Sequence, residues 1–225
     1  MARHIPVHTT NRRDCEALHK VYKKGKTSLG KGAFGEVYEA CIRGTNDCGY
    51  VLKVITYDHE MFKRSGGKSI ERYYRDWYNE AKVFEELNKF QEKNELVFSP
   101  ILYDRWFCAK RALDKKGNST TMIHFYLLME RYDGDLLHLF PDRDAKYRNV
   151  AIAMALERME AYLFIIHHNL KICLNDIKLQ NILYKRTMTG IQLVFADFGI
   201  ATRHSDEECI RIDTENFKAL KSQFM

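Results

Sequence analysis

The sequence holds no apolar run approaching the ~20 residues a membrane-spanning helix requires, which leaves a membrane span out of the reading. It holds no C-x-x-C pair either. The six cysteines stand singly at positions 15, 41, 48, 108, 173 and 209, a pattern that argues against a zinc ribbon or finger. Their long spacing points to a reducing compartment, and the opening Met1-Ala-Arg-His-Ile-Pro6 is too polar for a secretory leader. Internal repeats and low-complexity linkers are absent. Charge of one sign does not dominate, with 36 basic against 30 acidic residues and a net +6. Such a balance reads as a solvated basic face rather than a nucleic-acid surface, and the basic stretches 20–26 and 110–116 read as exposed loops. The expectation is an intracellular protein, cytoplasmic or nuclear, with no nucleic-acid or membrane partner.

What is present suffices for a full core, since 45% of the 225 residues are hydrophobic. Residues 1–20 read as a polar arm. Residues 22–42 alternate polar and apolar around a glycine cluster, predicting strand, turn and strand. Tyr50-Val-Leu-Lys-Val-Ile55 is a third strand, rich in β-branched residues. Ile70, Tyr74, Trp77, Ala81, Phe84 and Leu87 fall at threes and fours, predicting a helix with Glu80 beside its buried stripe. Two further strands flank a turn at 114–118, and a short helix ends at Pro141. An apolar helix over 151–167 and a short strand at 172–174 follow. A hairpin then turns at 187–190, and the tail reads as helical from about Asp213. Strands precede helices, the order of a small β-rich lobe followed by a helical one.

Three stretches carry chemistry. Gly30-Lys-Gly32-Ala-Phe-Gly35-Glu-Val37 spaces its glycines so that backbone amides can approach phosphate oxygens. Its strand-like flanks favour a flap over a nucleotide rather than a dinucleotide-binding turn, which opens a helix. Lys53 sits in an apolar strand, where an unpaired ammonium is costly. Glu80 is its best carboxylate partner, with Glu85 and Glu86 as fallbacks. Asp176-Ile-Lys-Leu-Gln-Asn181, with Asp197-Phe-Gly199 after it, supplies an acid, a cation, an amide and a second acid. Phosphoryl transfer to a hydroxyl needs that set in one place.

Together these motifs resemble the protein-kinase family of the serine/threonine type, in the right order from Leu29 to Ala201. The resemblance implies an α+β, two-lobe fold: an arm (1–20), an antiparallel β-sheet N-lobe with one helix (21–130), and a shortened, mainly helical C-lobe (131–225). It implies ATP with Mg2+ (or Mn2+) as cofactors and a protein substrate. Leu29, Val37, Val51 and Leu183 would sandwich adenine, under the phosphate loop of Gly30, Gly32 and Gly35. Met129 would be the gatekeeper, and Glu130 to Tyr132 the hinge. Lys53, held by Glu80, would grip phosphates. Asp176 would orient the substrate hydroxyl and Lys178 would stabilise the transferred phosphate. Asn181 and Asp197 would bind the metal.

The chain also departs from that pattern. Leu174-Asn175 stands where the family carries His-Arg, and that arginine pairs with an activation-loop phosphate. No A-P-E motif follows Gly199, and the gap from Lys53 to Glu80 implies an insertion near 58–68. Asp213 is placed to stand in for the aspartate that supports the catalytic loop. These features resemble compact kinases of large DNA viruses and injected bacterial effectors, which would make the compartment that of a host cell. They predict activity without a phosphorylation switch, and a partner or second copy covering apolar surface on the 151–167 helix. The alternative is a nucleotide-binding pseudokinase or decoy that acts by binding a host protein.

Overall fold

The computed structural model describes residues 21–32, 35–58, 67–113, 117, 119–139, 146–188 and 190–224. The N-terminal arm, most of the 114–118 turn, the centre of the 58–68 insertion and Pro141 lie outside them. The chain divides into two compact units. One comprises residues 1–81 and 101–131, the other 82–100 and 132–225.

The first unit is a five-stranded antiparallel sheet in the order β1-β2-β3-β5-β4. Its strands are β1 (Tyr22–Gly32), β2 (Gly35–Ile42), β3 (Tyr50–Asp58), β4 (Leu102–Leu113) and β5 (Ser119–Glu130). Strand alternation sorts their side chains onto two faces. One face stacks Trp106 on Tyr126 at 5.0 Å and Tyr22 on Trp106 at 6.4 Å, with Leu52 and Leu128 packed around them. The other face meets α1 (Ile70–Asn94). Its Trp77 lies 5.4 Å from Phe125 and donates its indole N–H to the Tyr126 carbonyl at 3.1 Å. Burying such aromatics contributes roughly 2 kcal/mol each.

α1 starts at Ile70, as its periodicity predicts, but runs past Leu87 to Asn94. Tyr74, expected in the buried stripe, is instead 43% exposed. Its ring lies on the rim of the apolar face, edge-on to Phe107 at 6.1 Å and stacked on Tyr78 at 5.9 Å.

The second unit takes the last turns of α1 and the segment to Pro100. Gln91 Oε1 accepts from Phe98 N and Ser99 N, which anchors that segment. There follow β6 (Gly134–Asp135), the single-turn α2 (Leu136–Leu139), α3 (Lys146–His168), β7 (Ile182–Thr187), β8 (Gly190–Phe195) and α4 (Glu207–Lys221). β6, β7 and β8 form a small antiparallel sheet. Ile152, Leu156, Met159, Leu163 and Ile166 bury one stripe of α3. The predicted 172–174 strand reduces to a single bridge, Cys173 to Thr202. α4 begins six residues before Asp213, because Asp206 accepts from Cys209 N at 2.8 Å and Glu207 and Glu208 fill the first turn. Asp213 is therefore buried mid-helix. Cys41 pairs with Cys48, and Cys173 with Cys209, as disulfides, pairings that the expectation of a reducing compartment did not include. Among the described residues no helix is long and apolar enough to cross a membrane.

Candidate active site

In the first unit, strand register assembles one set of residues. Val37 pairs with Lys53 across β2 and β3, and Val51 pairs with Met129 across β3 and β5. Directly opposed residues share a face, as do i and i+2. Val37, Val51, Lys53 and Met129 therefore lie on one face of the sheet, the one that α1 meets. Lys53 Nζ reaches Glu80 Oε1 at 2.6 Å, with the two residues 6% and 1% exposed. The partner chosen from helix phase is thus the one observed. The fallbacks lie elsewhere, Glu85 on Lys82 and Glu86 on Arg203.

The glycine hairpin joins β1 to β2, with Gly32 opposite Gly35 and Gly30 opposite Val37. Its glycines differ in kind. Gly35 has φ +128, and a Cβ there would lie 2.6 Å from the Val54 carbonyl, so the fold itself requires glycine. A Cβ on Gly30 or Gly32 meets nothing within 4 Å. Internal packing does not demand those two glycines, whereas close approach of a ligand to their amides would. Leu29, at the irregularity of β1, is 54% exposed. Beside the hairpin, hydrogen bonds from Lys31 and Tyr38 hold the Glu36 carboxyl below the usual carboxylate range.

At the end of β5, Glu130 N donates to Ile101 O at 2.9 Å and Arg131 N to Gly49 O at 3.0 Å. Those two amides are committed to the fold. Arg131 also pairs with Glu39, an ion pair with no sequence signal beyond opposite charges 92 positions apart.

In the second unit, a 3-10 turn, Leu179–Asn181, forms the second half of the Asp176–Asn181 stretch. It brings Asn181 back onto Asp176, where the amide nitrogen donates to Asp176 O at 2.9 Å and to Oδ2 at 2.8 Å. Lys178 Nζ lies 2.7 Å from the same Oδ2. With its nitrogen committed, Asn181 presents Oδ1 as a hard oxygen donor, the kind Mg2+ takes. Ala196 N donates to Asn181 O at 2.8 Å, which ties the residue before Asp197 to Asn181. Asp197 has φ +60, a costly conformation for a non-glycine residue and one that concentrates at functional sites. Phe198 is buried against Phe84 at 4.7 Å. Leu183 sits in β7, opposite Asp135 and Val194, and Tyr132 is buried.

The loop is supported from α4. Asp213 Oδ2 accepts from Leu174 N at 2.7 Å and Oδ1 from Asn175 N at 2.9 Å. His167 Nε2 lies 3.0 Å from Oδ2, and since a carboxylate only accepts, that nitrogen carries the proton. Sequence reasoning reached Asp213 but missed His167, a histidine in an apolar helix with no motif around it. It also registered Asn175 only as a lost arginine.

The model of the protein kinase domain family matches residues 22–220. A search of curated proteins gives no match.

Proposed function

The chain belongs to the protein kinase family, and on that premise we propose that it is an active protein serine/threonine kinase using ATP. In this reading the γ-phosphoryl group leaves the β-phosphate oxygen of ATP and bonds to a serine or threonine oxygen of a protein substrate. The hydroxyl proton passes to Asp176. Lys178 offsets charge on the moving phosphoryl group, and Lys53, oriented by Glu80, holds the phosphates that remain. Leu29, Val37, Val51 and Leu183 enclose the adenine, with Met129, Glu130 and Tyr132 at its edge and Gly30, Gly32 and Gly35 over the phosphates. When bound, Mg2+ supplies charge neutralisation on the phosphates, and the Asn181 and Asp197 oxygens are the donors that fit it.

The observation that carries the proposal is the Asp176 cluster. One carboxylate oxygen receives Lys178 at 2.7 Å and Asn181 at 2.8 Å, which leaves the other to face an incoming hydroxyl. Lys178, two residues after the aspartate, is the feature that resembles serine/threonine kinases. A binding-only protein has no need of this arrangement together with a buried Lys53–Glu80 pair.

The test is transfer of labelled γ-phosphate from ATP and Mg2+ to the chain itself and to a generic basic protein. Transfer by the wild type that Asp176→Ala and Asp197→Ala abolish is expected. Equal incorporation in all three would refute the enzyme.

A second reading, a nucleotide-binding decoy, draws on α3. Val150 and Met154 are each 57% exposed and Phe164 is 62% exposed, an apolar face suited to a partner protein or a second copy. ATP-dependent thermal stabilisation without any transfer would favour it.

A further inference from the structure

Asn175 occupies the position where the family's arginine would reach a phosphate, and here it makes a contact of its own. It has φ +61, a left-handed conformation that asparagine tolerates better than other non-glycine residues. That turn sends its side chain to the segment after Gly199. Nδ2 donates to Ile200 O at 3.1 Å and to Thr202 Oγ1 at 3.2 Å, so both amide hydrogens have acceptors on that segment. The flanking backbone is joined as well. Cys173 N donates to Thr202 O, and Thr202 N to Cys173 O, each at 2.9 Å. Further along, Ser205 Oγ donates to His167 O at 2.9 Å and Arg203 pairs with Glu86 at 2.9 Å. The Asn175 backbone N–H is held by Asp213. Asn175 thus links the Asp213 carboxylate of α4 on one side to the segment that follows Asp197 on the other, reaching that segment through neutral hydrogen bonds.

We infer that Asn175 is a positioning residue, a built-in latch that sets the catalytic loop against Ile200–Thr202 and makes a phosphate on the chain unnecessary. The inference rests on the kinase reading of the Asp176 site and names its regulation. Arginine at this position would need an added anion to be satisfied. Asparagine finds its acceptors within the chain, so the latch closes on folding.

The test uses the full chain, Asn175→Asp and Asn175→Gly. Aspartate keeps the size and the tolerance for positive φ but turns two donors into repelling acceptors. Glycine keeps the backbone freedom and deletes the amide. Both are expected to lower kcat about tenfold with KM for ATP unchanged. Both are also expected to speed hydrogen exchange at the Cys173 and Thr202 amides. Phosphatase-treated wild type is expected to keep its full rate. Unchanged exchange in both variants would overturn the latch whatever the activity, and loss of rate on phosphatase treatment would overturn its independence of phosphate. The exchange readout needs no turnover. A chain that transfers no phosphate would therefore sink the kinase reading while still deciding whether the latch exists.

Discussion

The two units position their reactive groups by opposite means. In the first, a charge holds a charge: Lys53 is fixed by Glu80, both buried, on the sheet face that α1 meets. In the second, a buried carboxylate holds backbone. Asp213 reaches across from α4 to the amides of Leu174 and Asn175, and Asp176 follows in sequence from that anchored loop. The first device places a side chain and leaves the main chain to the strand ladder. The second places the main chain itself, because among the described residues the loop has no ladder beyond the Cys173–Thr202 bridge. A paired charge can be replaced at both ends. Backbone N–H donors cannot be substituted away, so their acceptor is the harder group to lose.

Asp213→Ala should therefore have the largest effect on stability. It strands two loop N–H groups and the His167 ring in a buried place, and orphans of this kind cost about 1–3 kcal/mol each. The expected loss is about 5 kcal/mol, comparable to the whole stability of many domains. Urea denaturation followed by circular dichroism measures it. A midpoint within error of the wild type would mean that the loop does not depend on α4.

The charge pair should behave differently. Lys53→Met leaves Glu80 buried without its cation and should cost about 3 kcal/mol, at the low end for a broken buried pair because a carboxyl can take up a proton. The double variant Lys53→Met/Glu80→Leu should recover most of that loss, since a buried pair replaced by apolar groups is often neutral. Both variants should lose phosphate transfer. Recovery of stability without recovery of activity is the signature that separates this unit from the other, and a double variant as unstable as the single one would erase the contrast.

Legibility in the sequence follows the same division. The first unit was readable because its signals are local. Alternation gave β1 and β2, β-branched composition gave β3, the 3.6 period gave the start of α1, and helix phase alone selected Glu80 for Lys53. Tyr74 was misjudged because periodicity reports which stripe a residue joins, not where the partner sheet ends. In the second unit the motif spacing located Asp176, Asn181 and Asp197, but the contacts that support them span long intervals. His167 meets Asp213 across 46 positions, and Asn175 meets Thr202 across 27. No local pattern encodes such pairs. The start of α4 was an avoidable miss, since Asp206-Glu-Glu208 is a helix-entry signal.

Alkaline pH offers an intermediate test that bears on the first unit. Burial pushes the phenols of Tyr22, Tyr103 and Tyr126 up to about 12, and all three lie in that unit. A folded-state value above the unfolded one means that the unfolded chain releases its proton first as pH rises. The stabilisation is thus complete below about pH 10 and is lost progressively from there to about 12. Hydrogen exchange between pH 9 and 11, corrected for intrinsic rates, should show β1, β4 and β5 losing protection. Tyr126→Phe should delay that loss. If the variant follows the wild type, buried phenols are not the cause.

The smallest effect is expected at the start of α4. Asp206 caps the helix through Cys209 N at 2.8 Å, and removing such a cap costs about 1 kcal/mol. Asp206→Ala should therefore lower the melting temperature by a few degrees in a chain of this size, with the rate of transfer unchanged. The rate should hold because Asp213 lies two turns further along α4, among buried neighbours that include Phe217 and Leu220, and fraying at a helix end falls off within its first turn. A drop in kcat at a temperature where Asp206→Ala is fully folded would show that the cap, and not packing of the helix body, sets where Asp213 stands. In that case the second unit would owe the position of its catalytic loop to the first turn of α4.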